Sequence, residues 1–172
     1  MLITLIRHTQ SDIKKGICYG RSDIDVAPNF KEMADAVADK LQPQFKLISS
    51  NLIRCQKLAH HIGNIFNTDV TIDDRFQEMD FGNWENTPWS KIPRMEIDAW
   101  ANDFLHARPH GGESVYQLRN RIRTALADYT SSPEPIVIIT HAGVIKAALS
   151  TGDTAEHFQS NIGFGEIIAF EP

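Results

Sequence analysis

Two histidines and two arginines in this chain follow closely on apolar runs that read as buried strands. Arg7-His8 closes the run Leu2 to Ile6, Arg54 lies in the turn after Ser49-Ser50, and His141 follows Ile136 to Thr140. In an open α/β sheet the crevice outside the carboxyl ends of the strands is where ligands bind. Each of these strand ends also leads toward a helix amino terminus, whose free N–H groups favour an anion. Taken singly, each residue has a plain structural explanation: a strand-end histidine is usually just hydrogen-bonded, and a lone arginine usually pairs at the surface. Taken together they describe an anion site, and a phosphoryl group is the anion that suits two arginines and two imidazoles.

The charge of the whole chain sharpens that reading. Its formal net charge is -5, which would repel a phosphorylated metabolite, so positive charge must be gathered locally in a cleft. The same balance argues against a nucleic-acid surface, for which Lys14-Lys15 alone is too little. No apolar run approaches a bilayer span, and Met1-Leu2-Ile3-Thr4 has no basic segment leading into an apolar one. No membrane association and a cytoplasmic location are therefore expected. Cys18 and Cys55, the only cysteines, lack metal or disulfide spacing and are expected to be reduced thiols.

The elements that must hold these residues alternate. Lys46 to Ser49, Asp69 to Ile72, Ile136 to Thr140 and Glu166 to Phe170 read, like Leu2 to Ile6, as strands buried on both faces of a parallel sheet. Between them Ala34, Val37, Ala38 and Leu41 recur at helical spacing, as do Cys55, Leu58, Ala59, Ile62 and Ile65. A third helix is predicted from Val115 to about Tyr129, opened by a capping box of Ser114 and Gln117, and a fourth after Gly143. The expectation is one domain over residues 1–172, a three-layer α/β/α sandwich with a mostly parallel central sheet. The stretch 79–112, with all three Trp, fits neither period and reads as a partly helical insertion near the mouth of the site.

Other chemistries lack their parts. There is no G-x-S-x-G elbow and no G-x-x-x-x-G-K-[ST] loop. His60 and His61 are adjacent and diverge by about 100° on a helix, so they do not make a metal pair. His106, His110 and His157 also lack partners and are read as surface residues. No metal and no cofactor are expected.

At this point the residues resemble a known family. Leu5-Ile6-Arg7-His8-Thr9 is similar to the amino-terminal R-H-G signature of the histidine phosphatase superfamily, also called phosphoglycerate mutase-like. Ser49 to Arg54 resembles its S-S-x-x-x-R segment, Glu78-Met79-Asp80-Phe81-Gly82-Asn83-Trp84-Glu85 its E-x-x-x-G-x-W-E segment, and Thr140-His141-Ala142-Gly143 its T-H-x-G. The four occur in family order along the chain. Thr9 stands where the family usually has Gly, and Lys14 where mutase-like members often have Asn. The segment Gly16 to Asp23, with Arg7-His8-Thr9, looks most like the α-ribazole phosphatase branch associated with cobalamin assembly.

The resemblance implies a phosphoglycerate mutase-like fold and a metal-independent phosphomonoester hydrolase working through a phosphohistidine. His8 would be the nucleophile, with Arg7, Arg54 and His141 around the phosphoryl oxygens. The chemistry alone leaves the acid open among Glu78, Asp80 and Glu85; the family pattern selects Glu78, and closeness to a negative phosphate favours its protonated form. Thr9, Tyr19, Arg21 and Ala142 are expected to contact substrate, with Cys18 and Trp84 mainly in the core. The expected partner is a small-molecule phosphomonoester. A phosphoglycerate mutase-type phosphotransferase, a phosphohistidine protein phosphatase and a non-catalytic phosphoprotein-binding module are the alternatives.

Overall fold

A computed structural model describes residues 2–171; Met1 and Pro172, at the two ends of the expected domain, lie outside the described residues. The elements run β1 (Ile3–Arg7), α1 (Phe30–Ala38), β2 (Lys46–Ser49), α2 (Ile53–Phe66), β3 (Val70–Ile72), α3 (Arg94–Asn102), α4 (Val115–Ala127), β4 (Ile136–Thr140), α5 (Ala142–Leu149) and β5 (Ile167–Phe170). The five strands form one sheet in the order β3-β2-β4-β1-β5. The first four are parallel and β5 runs antiparallel to β1.

Strand side chains alternate between two cores, as a period of two requires. Ile3, Leu5, Ile136 and Ile138 pack with α4 and α5 on one face, and Ile6, Val137 and Ile139 pack with α1 and α2 on the other. All five residues of β4 are buried, as expected of a central strand in a sheet covered on both sides. The two edge strands depart from that expectation. β3 is half-buried to exposed and β5 only partly buried, because each has a neighbour on one side alone.

The predicted capping box is present in both halves: Ser114 Oγ accepts from Gln117 N at 3.1 Å, and Gln117 Oε1 accepts from Ser114 N at 2.9 Å. That helix ends at Ala127, two residues before the predicted Tyr129. Residues 79–112 contain the helix α3 and two short 3-10 turns, Gly82–Trp84 and Trp89–Lys91. Trp84 and Ile92 of this region form a small core with Cys18.

Candidate active site

Strand register brings the first two residues together. Arg7 lies opposite Thr140 in the parallel pair of β1 and β4, and the His8 N–H donates to the Thr140 carbonyl at 2.9 Å. The next residues on the two strands, His8 and His141, therefore stand side by side, with ring centroids 5.1 Å apart in an edge-to-face arrangement. β2 joins from the other side of β4. Ser50 N donates to the Ile139 carbonyl at 3.0 Å, and Ser50 Oγ lies 2.9 Å from His141 Nε2.

The His8 ring is buried, and its Nδ1 lies 2.7 Å from the Thr9 carbonyl. A carbonyl only accepts, so Nδ1 carries the hydrogen and Nε2 keeps its lone pair. Burial, then the neighbouring Arg54 and Arg7 charges, holds the pKa of His8 well below its ordinary value. His141 is lowered in the same way, first by burial and then by Arg54, His8, Arg7 and Arg121. Both shifts favour the neutral ring.

Arg54 is fully buried although it is an arginine, and its terminal nitrogens donate to the carbonyls of Ser22 at 2.8 Å and Gly20 at 2.5 Å. Arg7 Nη1 donates to the Ile162 carbonyl at 2.6 Å. Each guanidinium also lies over an aromatic ring: Arg7 over Phe164 at 3.8 Å and Arg54 over Tyr19 at 5.3 Å. Nε of both arginines is buried with no hydrogen-bond partner. Burial lowers the pKa of Arg7 from its ordinary value, with Tyr19 and Glu78 acting in the opposite direction.

Among the three acidic candidates the geometry separates the roles. Glu78 lines the same cavity as Arg7, His8 and Arg54, a half-enclosed space of about 380 Å³. Its carboxylate accepts from Met79 N at 2.9 Å and from Gly143 N, in the first turn of α5, at 3.0 Å. A side chain at Gly143 would collide with that carboxylate. Asp80 instead accepts from Gly82 N at 2.8 Å, and Glu85 accepts from the backbone of Gly20, Arg21 and Ser22 and from Ser22 Oγ, tying the loop of residues 20–22 to the insertion. Among the described residues no arginine lies within 4 Å of Glu78, so it is not an ion-pair partner of Arg54.

Of the expected substrate contacts, Tyr19 and Ala142 line the cavity. Thr9 does not line it; its hydroxyl is buried without a partner, and its carbonyl does the orienting of His8. Arg21 is not among the residues lining the cavity; its guanidinium lies 3.6 and 3.9 Å from Glu113 and Asp80. His110, read as a surface residue, is fully buried: its Nδ1 accepts from Gly112 N at 2.9 Å and its ring packs 4.9 Å from Trp84. Five cavity residues escaped the sequence reading, Ile17 among them, inside a segment read only for its resemblance. Lys146 is four residues after Ala142 and so shares its helix face, a signal that was legible. Phe81 fell inside a motif read only for its acid. Asn161 and Ile162 had no signal of their own. A larger, open groove of about 1230 Å³ against residues 43–48 and 131–135 contains none of the expected site residues.

Comparison with known proteins identifies the family and the fold. The profile of the family described as "Histidine phosphatase superfamily (branch 1)" matches residues 3–161. A Hydrogenobacter thermophilus protein, provisionally named a phosphoserine phosphatase, is 31% identical, the match spanning 95% of this chain and 87% of its own length. Glucosyl-3-phosphoglycerate phosphatase of Mycobacterium tuberculosis is 31% identical over 86% of this chain and 73% of its own. A solved structure of a mycobacterial glucosyl-3-phosphoglycerate phosphatase with VO3 superimposes with a TM-score of 0.85 at 28% identity, covering 98% of this chain and 91% of that one.

The buried neutral rings have a consequence for stability. Above the ordinary histidine pKa of 6.5, His8 and His141 are neutral folded and unfolded alike. Below it the unfolded chain takes up protons that the folded one does not, so stability falls as pH drops toward the folded values. The expected slope approaches about 1.4 kcal/mol per pH unit for each ring. Denaturant titrations of the phosphate-free protein from pH 7.5 to 5.5 should show this, with a shallower slope in His141→Gln. An unchanged unfolding free energy across that range would mean that the rings protonate within the fold.

Proposed function

The chain belongs to the histidine phosphatase superfamily and is a phosphatase; on that premise we propose that it hydrolyses small phosphomonoesters without a metal ion, through a phosphohistidine on His8. The observation that carries this reading is the neutral His8, with its Nε2 lone pair free, in one cavity with two guanidinium groups and Glu78. Nε2 attacks phosphorus in line, the N–P bond forms, and the P–O bond to the alcohol breaks. Glu78 protonates the departing oxygen, then takes a proton from the water that attacks the phosphohistidine and releases phosphate.

Phosphoryl transfer asks mainly for positioning and charge stabilisation. Arg7 and Arg54, both lining the cavity, meet that need as fork-shaped cationic donors. A dianion beside His141 reverses the field that keeps the ring neutral and favours its protonated, donating form.

For the alcohol, α-ribazole 5'-phosphate in cobalamin assembly is the reading taken from Arg7-His8-Thr9 and residues 16–23. The aromatic lining from Tyr19, Phe81 and Trp89 supports it. A second reading, a phosphorylated small acid, is favoured by Lys146, which lines the cavity and has no carboxylate within 4 Å among the described residues. The names of the two curated relatives point the same way. Purified protein assayed on α-ribazole 5'-phosphate, 3-phosphoglycerate and phosphoserine separates the two. An advantage of about tenfold in kcat/KM for the carboxylated esters ends the ribazole reading and leaves the phosphohistidine chemistry standing.

The mechanism has its own tests. Acid-labile phosphoenzyme should be trapped on rapid quenching of wild type and be absent from His8→Ala, which should have no measurable turnover; substantial turnover in that variant overturns the nucleophile. Glu78→Gln should slow alkyl phosphates by about 10²- to 10⁴-fold while slowing p-nitrophenyl phosphate far less, since that leaving group needs no proton. Equal slowing of both esters would remove Glu78 from the role of acid.

A further inference from the structure

Behind Glu78 lies a second space that the reaction as described does not use. It is an apolar cleft of about 260 Å³ walled by Phe81, Trp100, Phe104, Val115, Leu118 and Phe158. Glu78, Phe81 and Lys146 line both this cleft and the cavity of the phosphate cradle, so the two adjoin at the acid. From the geometry we infer that the cleft is the leaving-group subsite, and that it selects phosphomonoesters whose alcohol carries a flat apolar ring a short linker away from the phosphate.

The inference rests on Glu78 as the acid. An acid must lie within hydrogen-bond reach of the oxygen it protonates, so the rest of the leaving group starts at Glu78, where the cleft begins. The walls decide what kind of group fits. Trp100 and Phe104 have ring centroids 5.5 Å apart, Phe104 and Phe158 5.3 Å, and Phe81 and Trp100 6.3 Å, an array that offers faces and edges to an inserted ring. A sugar would fare badly there, because its hydroxyls would lose water and find few partners.

The test compares kcat/KM for ethyl phosphate and 2-phenylethyl phosphate, with p-nitrophenyl phosphate as a check on the chemistry. Wild type should prefer the phenylethyl ester by about tenfold or more, and Phe104→Ala should reduce that preference to about threefold or less. Because the readout is a ratio of two rates on one preparation, partial misfolding lowers both and does not mimic the effect. Phe158→Leu, a milder change, should lie between. The subsite is overturned if wild type shows no preference, or if the preference survives Phe104→Ala and Phe158→Leu but is lost in Trp89→Ala, which would place the ring toward the outer mouth. Either result with p-nitrophenyl phosphate still turned over through a phosphoenzyme leaves the phosphatase mechanism intact. Failure to release phosphate from any of the three esters would instead strike at that mechanism.

Discussion

Arg54 is fully buried and Arg7 half-buried, with no carboxylate within 4 Å of either guanidinium among the described residues. Buried charge without a counterion is costly, and the surroundings must offset it. They do so with neutral groups: three backbone carbonyls accept from the terminal nitrogens, and Phe164 and Tyr19 turn their rings to the two cations. None of these cancels the charge. Burial first, and then this same field, depresses the pKa values of His8 and His141 and favours their neutral forms. A dianionic ligand is the partner this cluster lacks, and the local positive field works against a chain whose net charge is -5.

The sheet topology explains why the cluster can be so compact. β1 and β4 are distant in sequence but adjacent and parallel, and one register, Arg7 opposite Thr140, sets His8 beside His141. Because β5 is antiparallel to β1, the chain entering β5 passes the carboxyl end of β1. That brings Ile162 and Phe164 to Arg7, and Gly165, with φ of +69°, donates its N–H to the carbonyls of Arg7 and His8. Periodicity located both strands but carried no information on the direction of β5, so the aromatic and carbonyl supports of Arg7 were invisible until the topology was known.

Legibility followed the same division elsewhere. Strand ends were readable because burial forces an apolar run to stop where a polar residue begins, and Arg7, His8 and His141 all sit at such stops. Choosing among Glu78, Asp80 and Glu85 from residue type alone was not possible, since all three are carboxylates within eight positions. Beyond the family pattern, backbone geometry distinguishes Glu78, held at the first turn of α5, from Glu85, which ties down the loop of residues 20–22. The partners of Arg21 and the burial of His110 were illegible for a related reason. Arg21 follows Tyr19 closely in sequence, yet its partners, Asp80 and Glu113, stand at the two ends of the stretch 79–112. His110 is isolated in sequence but buried against Trp84 and Phe81, contacts between residues more than twenty positions apart.

Chemistry and selection are thus built from different material. The groups at the phosphate end stand on the ends of parallel strands or in the first turns of the helices that follow, where register leaves little freedom. The walls around the leaving group come mostly from elements that no sheet register holds: Phe81 from a turn, Trp100 from the short α3, Phe104 from the loop beyond it and Phe158 from a 3-10 turn. Substitutions there reshape the space next to Glu78 without moving the histidines or arginines. Glu78 is the hinge of this arrangement, because its carboxylate is pinned to the rigid end of α5 at Gly143 while its neighbour Met79 already belongs to the wall of the cleft. A fold of this kind can therefore keep one reaction and change its alcohol by altering a segment of about thirty residues, which is how function comes to vary on a constant scaffold.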